Sequence, residues 1–272
     1  MTVKRTIGHS PDRTVDGDAR SRRRFRVTRL IAGFMAGSAI VFGAFTIVFG
    51  AVAESQYIHG FHNAVVAALL LVLSAPPALA IARRPDRSDA PLITLTILSA
   101  AAVITMAASL TIDPFTMPFV VFTGVLWTLR QSNERTAREE QPNKGLLLLV
   151  AAGAVPLVVY ALGQAELQRT LAGDVHSQFF HWVEASFYAT GILFFGVLSA
   201  LRPRTQRMAG LSAGLGLIIF GLAALFLSGH ASAVPTPWSW LAVVGGAAVI
   251  GLVTRNGVRG QPAQGRRASH AP

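Results

Sequence analysis

The stretch GLLLLVAAGAVPLVVYALGQA, residues 145–165, has no charged side chain over its 21 positions. A helix of that length rises about 30 Å, which matches the hydrocarbon core of a bilayer. Hydrocarbon offers no hydrogen-bond partner to an exposed backbone, so an apolar run of this kind is stable across a membrane only as a helix. The stretch therefore predicts a transmembrane helix.

Seven further apolar runs have the same character, which gives eight predicted spans. The fourth is the shortest and begins at Pro114, a residue that the first turn of a helix accepts because its missing N–H would have no partner there. The chain is 52% hydrophobic and only 14% charged, too few charges to cover a soluble domain of this size. We predict an all-α, polytopic membrane bundle with spans at 30–53, 61–82, 91–112, 114–129, 145–165, 181–201, 208–229 and 237–254.

The basic side chains lie almost entirely on one predicted side of the membrane. Of the 24 Lys and Arg residues, 23 fall in the segments 1–29, 83–90, 130–144, 202–207 and 255–272. Only Arg169 falls on the other side. Cytoplasmic loops retain Lys and Arg, so we expect a multi-pass protein of the bacterial plasma membrane with both termini in the cytoplasm. The net charge of +11 then follows from topology, and the expected partner is the lipid bilayer rather than nucleic acid. No feature of the sequence identifies a protein partner.

The polar connector 130–144 divides the predicted spans into two halves, 30–129 and 145–254. His59-Gly60-Phe61-His62 opens the second span, and a segment from His176 to His181 opens the sixth. Each of these two spans ends in Arg-Pro, and the matching features are offset by 117 to 119 residues. We therefore predict an internal four-plus-four repeat. The flanking segments 1–29 and 255–272 are polar, show no apolar period and are expected to be disordered.

Prolines and glycines predict local features of the spans. Pro76-Pro77 and Pro156 each remove a backbone hydrogen bond and are expected to kink the second and fifth spans. The spacings Gly33-x-x-x-Gly37 and Gly210-x-x-x-Gly214 are typical of close contact between packed helices.

Ionisable side chains are absent from the middle of all eight predicted spans. Ion-coupled transporters place such groups inside the membrane, so their absence argues against that class. The groups gather instead at the outer side, where His59 and His62 are three residues apart, as are His181 and Glu184. That spacing puts each pair on one helix face, and imidazole with carboxylate suits zinc, copper or iron. The candidate metal ligands are His59, His62, His176, His181 and Glu184; the outer side also holds Glu54, Asp113, Glu166, Asp174 and His230.

Two resemblances to known proteins concern this outer side. The residues Tyr160-Ala161-x-x-Gln164, Asp174-x-His176 and His181-Trp182 resemble uncharacterised multi-pass membrane proteins of actinobacteria, which implies no particular activity.

The second resemblance concerns the layout of two halves with outer histidines at spans two and six, which is similar to haem A synthase. It would imply haem ligands at His59 or His62 and at His181, with Glu54 as the outer carboxylate. Spans four and eight lack the histidines of that family, and the chain has no cysteine to supply its outer Cys pair. We therefore do not assign haem A synthase activity.

Three functions remain open from the sequence. The favoured one is a structural or regulatory membrane protein without a cofactor and without enzymatic activity. The first alternative is an outer-face metal- or haem-binding protein, which requires imidazole nitrogens from both halves to approach one another. The second alternative is a small-solute permease.

Overall fold

The computed structural model describes residues 12–52, 59–130, 140–203 and 205–259, with only the backbone described at 12–20, 50–52 and 256–259. Apart from a 3-10 turn at Pro85–Arg87, regular structure in these residues consists of nine helices. They are α1 Asp12–Val52, α2 Gly60–Arg83, α3 Asp89–Ser109, α4 Met117–Leu129, α5 Lys144–Thr170, α6 Val175–Gln178, α7 His181–Leu201, α8 Arg207–Phe226 and α9 Thr236–Arg259.

Seven of the described helices are long and apolar enough to cross a membrane, namely α1, α2, α3, α5, α7, α8 and α9. Large apolar side chains, among them Phe45, Val159 and Leu241, lie on their exposed surface. Hydrocarbon is the solvent in which that arrangement is stable. The predicted all-α, multi-pass membrane class is therefore confirmed.

The predicted fourth span is a shorter helix than expected. It begins at Met117 rather than at 114 and has 13 residues, about 20 Å. Asp113 turns the chain before it, because its carboxylate accepts hydrogen bonds from the Phe115 backbone N–H at 2.8 Å and from the Thr116 hydroxyl. An eighth span therefore stays a prediction.

Both ends of the described chain are more helical than the sequence indicated. α1 begins at Asp12, well inside the segment 1–29 that we expected to be disordered, and α9 continues to Arg259, beyond the predicted end of its span at 254. Once the apolar part of a helix has formed, adding further residues costs little, and Arg has a high helix propensity. The remainder of the two expected disordered segments, 1–11 and 260–272, lies outside the described residues.

The Pro76-Pro77 pair changes α2 without ending it. Leu69–Ser74 forms a π-helical segment between two α-helical segments of the same span. A proline ring collides with the carbonyl four residues earlier and cannot donate to it, so the helix widens to a spacing of five. The Ser74 hydroxyl donates to the Leu69 carbonyl at 2.9 Å across this segment. Pro156, by contrast, lies within an uninterrupted α5.

The core lies where α2, α3, α7 and α8 meet, with α7 the most enclosed of the seven long helices and α5 the least. The Tyr188 hydroxyl of α7 donates to the Gly216 carbonyl of α8 at 2.8 Å.

The close contact predicted at Gly210-x-x-x-Gly214 is confirmed, because a Cβ at Gly214 would lie 2.8 Å from the Gly246 carbonyl of α9. At Gly33 and Gly37 of α1, by contrast, a Cβ would meet no heavy atom of the described residues within 4 Å.

The two ends of the bundle differ in their side chains. We call one the arginine end, defined by Arg83, Arg84, Arg130, Arg202 and Arg207. It is held together by hydrogen bonds such as that from the Thr94 hydroxyl to Gln206 at 2.9 Å. We call the other the histidine end, defined by His59, His62, His176, His181 and His230. The predicted internal repeat is not shown by the fold and stays a prediction.

Candidate metal centre

The two pairs of predicted histidines meet at the histidine end. His59 immediately precedes α2 and His62 lies in its first turn, whereas His176 lies in α6 and His181 begins α7. The ring centroids of His59 lie 4.7 Å from His176 and 4.9 Å from His181, and those of His62 lie 5.0 Å and 5.1 Å from the same two rings. Imidazoles far apart in sequence therefore form one cluster.

Local backbone geometry allows this approach. Phe180 adopts a left-handed conformation with φ 62° between α6 and α7, which turns the chain so that His176 and His181 both face α2. Gly60 makes room for the fifth histidine, since a Cβ there would lie 3.1 Å from the His230 Cε1 atom. Strained positions of the Phe180 kind persist where the surrounding structure requires them.

Three ring nitrogens of the cluster have no hydrogen-bond partner within the part of the chain that the structure describes. They are His59 Nδ1, His62 Nδ1 and His176 Nε2. The three residues are only 4%, 0% and 8% exposed, and one nitrogen from each ring lies within 4.8 Å of those of the other two. A buried polar atom without a partner costs about 1–3 kcal/mol. Three such rings in contact form a group that could hold a metal ion.

Asp174 determines which nitrogen His176 presents to the cluster. Its carboxylate lies 2.7 Å from His176 Nδ1 and also accepts from the His176 backbone N–H at 2.8 Å. A carboxylate only accepts, so in the neutral form of the ring Nδ1 carries the proton and Nε2 has the lone pair. Burial acts to raise the pKa of Asp174, but the hydrogen bonds from His176 outweigh it, and the pKa falls below its usual value. The carboxylate is therefore charged at neutral pH.

Ser232, in the loop before α9, determines which nitrogen His62 presents to the cluster. Its hydroxyl donates to the Gln164 side-chain oxygen at 2.5 Å, and its oxygen lies 2.9 Å from His62 Nε2. With its proton directed at Gln164, the Ser232 oxygen accepts from Nε2–H, and His62 Nδ1 keeps a lone pair. Partners of this kind orient the histidine ligands of metal sites.

His59 is held in its neutral form. Burial in the cluster, together with the rings of His181 and His176, lowers its pKa to about 4. Neutral imidazole is the form that binds a metal ion. A neutral His59 ring has one nitrogen with a free lone pair, as a metal ligand requires.

The two other predicted ligands stand beside this set of three. His181 stacks on His62, and its Nδ1 lies 3.2 Å from a Glu184 carboxylate oxygen. Glu184 thus contacts His181 rather than joining the three nitrogens. Of the other outer residues, Glu166 pairs with Arg169 on the exposed face of α5, and Asp113 caps the turn before α4. Glu54 lies outside the described residues.

The arrangement favours a single ion over haem. Bis-histidine haem ligation places the macrocycle between two imidazole rings. Here the rings of His59 and His62 contact those of His176 and His181 directly. The ring centroids lie 4.7 to 5.1 Å apart across these four contacts. No slot for a porphyrin separates them.

Sequence reasoning identified the histidines but missed two of the groups that orient them. Ser232 lies 170 residues from His62 and 68 from Gln164, a separation that no local pattern reveals. Asp174 appeared only as one outer acid among several, although its position two residues before His176 suits an Asx turn.

No protein-family model, curated protein or solved structure matches the chain. The two resemblances drawn from short sequence patterns therefore stay predictions.

Proposed function

We propose that this multi-pass membrane protein binds one transition-metal ion, best matched by zinc, through His59, His62 and His176. The observation that carries the proposal is the convergence of three buried imidazoles from both halves of the chain, each with one ring nitrogen that has no hydrogen-bond partner among the described residues. Zinc accepts three imidazoles at about 2.0–2.1 Å and leaves a fourth position for an exchangeable ligand.

This function fits the geometry better than the cofactor-free role that the sequence favoured. Histidines that merely cap helix ends stay in contact with water, whereas these three are at most 8% exposed. Asp174 and Ser232 also orient two of the rings in the way that second-shell groups orient metal ligands. A permease path would need polar groups at mid-depth, and the groove between α5 and α9 is lined almost entirely by apolar side chains.

We further propose that the histidine end faces the outside of a bacterial plasma membrane. The distribution of 23 of the 24 basic residues supports this orientation, with both termini in the cytoplasm. An even number of spans requires the short α4 to cross as the eighth, and its apolar sequence is consistent with that role. A duplication of four spans would explain why each half contributes two histidines to the cluster.

Zinc loading of the purified protein tests the proposed function. After incubation with zinc and removal of the excess, elemental analysis is expected to find about one zinc per chain. The variant His59→Ala/His62→Ala/His176→Ala is expected to retain none. His230→Ala is the matched control, because it removes a histidine of the same end that is outside the set of three, and it is expected to keep the ion.

A conservative single variant keeps the test decisive if the triple variant fails to fold. His59→Gln removes one ligand and is expected to weaken zinc affinity roughly tenfold or more while the protein still elutes as one species. Equal zinc content in wild type and triple variant would refute the proposal, as would a wild type that binds no zinc.

A further inference from the structure

A fourth imidazole contacts the three to which we assign the metal ion. The centroid of the His181 ring lies 4.9 Å from that of His59, 5.1 Å from that of His62 and 6.1 Å from that of His176. The group whose nitrogens lie within 4.8 Å of one another does not include His181. His181 therefore stands at the edge of the site, in contact with its members but not yet among them.

The four rings have nearly the spacing of a tetrahedral site. A zinc ion about 2.0–2.1 Å from one nitrogen of each ring lies about 3.2 Å from each ring centroid, and tetrahedral angles then separate the centroids by about 5.2 Å. Five ring pairs among the four histidines have centroids 4.7 to 6.1 Å apart. These separations are within about 1 Å of the tetrahedral value.

His181 also has the same kind of partner as His176. Its Nδ1 atom lies 3.2 Å from a Glu184 carboxyl oxygen, just as His176 Nδ1 lies 2.7 Å from Asp174. In both residues the carboxyl group takes Nδ1 and leaves Nε2 as the nitrogen for a metal ion. A carboxylate behind the imidazole is a common support of histidines that bind metal ions.

The charges around His181 favour a cation at this place. The Glu184 side chain is 12% exposed, and Asp113, which interacts with it electrostatically, is 0% exposed. Among the described residues, no Lys or Arg forms an ion pair with either carboxyl group. Buried charges are paired or coordinate metals, and a divalent ion bound to His181 supplies the positive charge that this pair lacks.

We propose that His181 is the fourth ligand of the metal ion, so that four imidazoles enclose it and no position stays open to an external ligand. This inference rests on the metal function proposed above, and it makes the exchangeable ligand a side chain of the protein itself. His181 is the one ring of the four that is partly exposed, so it closes the site behind an ion that enters from the histidine end. A tetrahedral set of nitrogens selects Zn²⁺ or Co²⁺ over Mg²⁺ and Ca²⁺, which prefer oxygen ligands.

X-ray absorption spectroscopy of the zinc-loaded full chain counts the imidazole ligands. We expect four in wild type, with zinc–nitrogen distances of about 2.0–2.1 Å. His181→Ala is expected to keep three imidazoles and to take water as its fourth ligand. Its zinc affinity is expected to fall roughly tenfold or more, since the loss of an orienting partner alone costs 10–100-fold.

Cobalt(II) gives a second readout, because its visible spectrum changes with its ligands. Thiocyanate binds cobalt only where a position is open, so we expect it to alter the spectrum of cobalt-loaded His181→Ala and to leave that of wild type unchanged. Free imidazole is expected to restore the wild-type spectrum to His181→Ala, which a purely structural role of His181 would not allow. If His181→Ala fails to fold, the two wild-type measurements still decide.

His230→Ala is the matched comparison, since it removes a histidine of the same end that we place outside the site. It is expected to keep four imidazoles and to remain insensitive to thiocyanate. Loss of an imidazole in His230→Ala would overturn the inference, and so would a wild type with three imidazoles whose cobalt spectrum responds to thiocyanate; in both cases the metal function stands. A chain that binds neither zinc nor cobalt overturns both proposals.

Discussion

At the scale of single residues, the function proposed here depends on which nitrogen each imidazole turns toward its neighbours. Asp174 fixes that choice for His176 and Ser232 fixes it for His62. Without such partners, each ring would present either nitrogen, and the site would lose its preorganised geometry.

The variant Asp174→Asn tests this orienting role. An amide oxygen still accepts a hydrogen bond from His176 Nδ1, but it lacks the charge that fixes the tautomer. We expect zinc affinity to fall by about 10–100-fold, measured by competition with a chromophoric chelator. Glu166→Gln is the control, since that carboxylate pairs with Arg169 and does not contact the cluster. An unchanged affinity in Asp174→Asn would show that Asp174 only caps α6.

The sequence predicted the members of the cluster better than their roles. The spacing of three placed His59 with His62 and His181 with Glu184, and both pairs lie at the same end of the bundle. Spacing together with chemical type put Glu184 among the ligands. The same spacing accounts for its contact with His181, but only the packing of α7 against α2 shows which side chains group with His59 and His62.

At the scale of helices, the tightest described packing is between α8 and α9. Gly214 and Gly246 bring the two backbones together, because a Cβ at Gly246 would lie 2.5 Å from the Gly214 carbonyl oxygen. The Gly-x-x-x-Gly spacing predicted such a contact on α8 but predicted it equally for Gly33 and Gly37. The spacing shows that another helix could approach closely at these glycines. Whether a close contact forms depends on where the neighbouring helix lies.

Gly246→Ala is the smallest change that tests this contact. The added methyl group would force α8 and α9 apart, and we expect a loss of about 1–3 kcal/mol in stability. Thermal unfolding in detergent measures it as a lower Tm. Gly251→Ala on the same helix adds a methyl group where no described heavy atom lies within 4 Å, so its Tm should be unchanged or slightly raised. Equal Tm values for the two variants would contradict the packing.

At the scale of the whole molecule, composition predicted the membrane class, because long uncharged runs have one stable form in lipid. It predicted less well where the helices begin and end. α1 continues to Asp12 because polar residues extend a helix that has already formed, and α4 is shortened by the Asp113 turn. Neither effect appears in a pattern of hydrophobicity.

The orientation of the molecule decides which side of the membrane supplies the metal ion. The absence of cysteine from the chain allows single-cysteine variants without any change of background. Ala172 is exposed at the histidine end and Thr205 is exposed at the arginine end, so Ala172→Cys and Thr205→Cys report on opposite faces. Because Lys and Arg are retained in the cytoplasm, a membrane-impermeant maleimide added to spheroplasts should label Ala172→Cys only, and detergent should make both react. Labelling of Thr205→Cys alone in intact spheroplasts would reverse the orientation and place the histidine cluster at the cytoplasmic face, where the cell's own zinc pool would supply the ion.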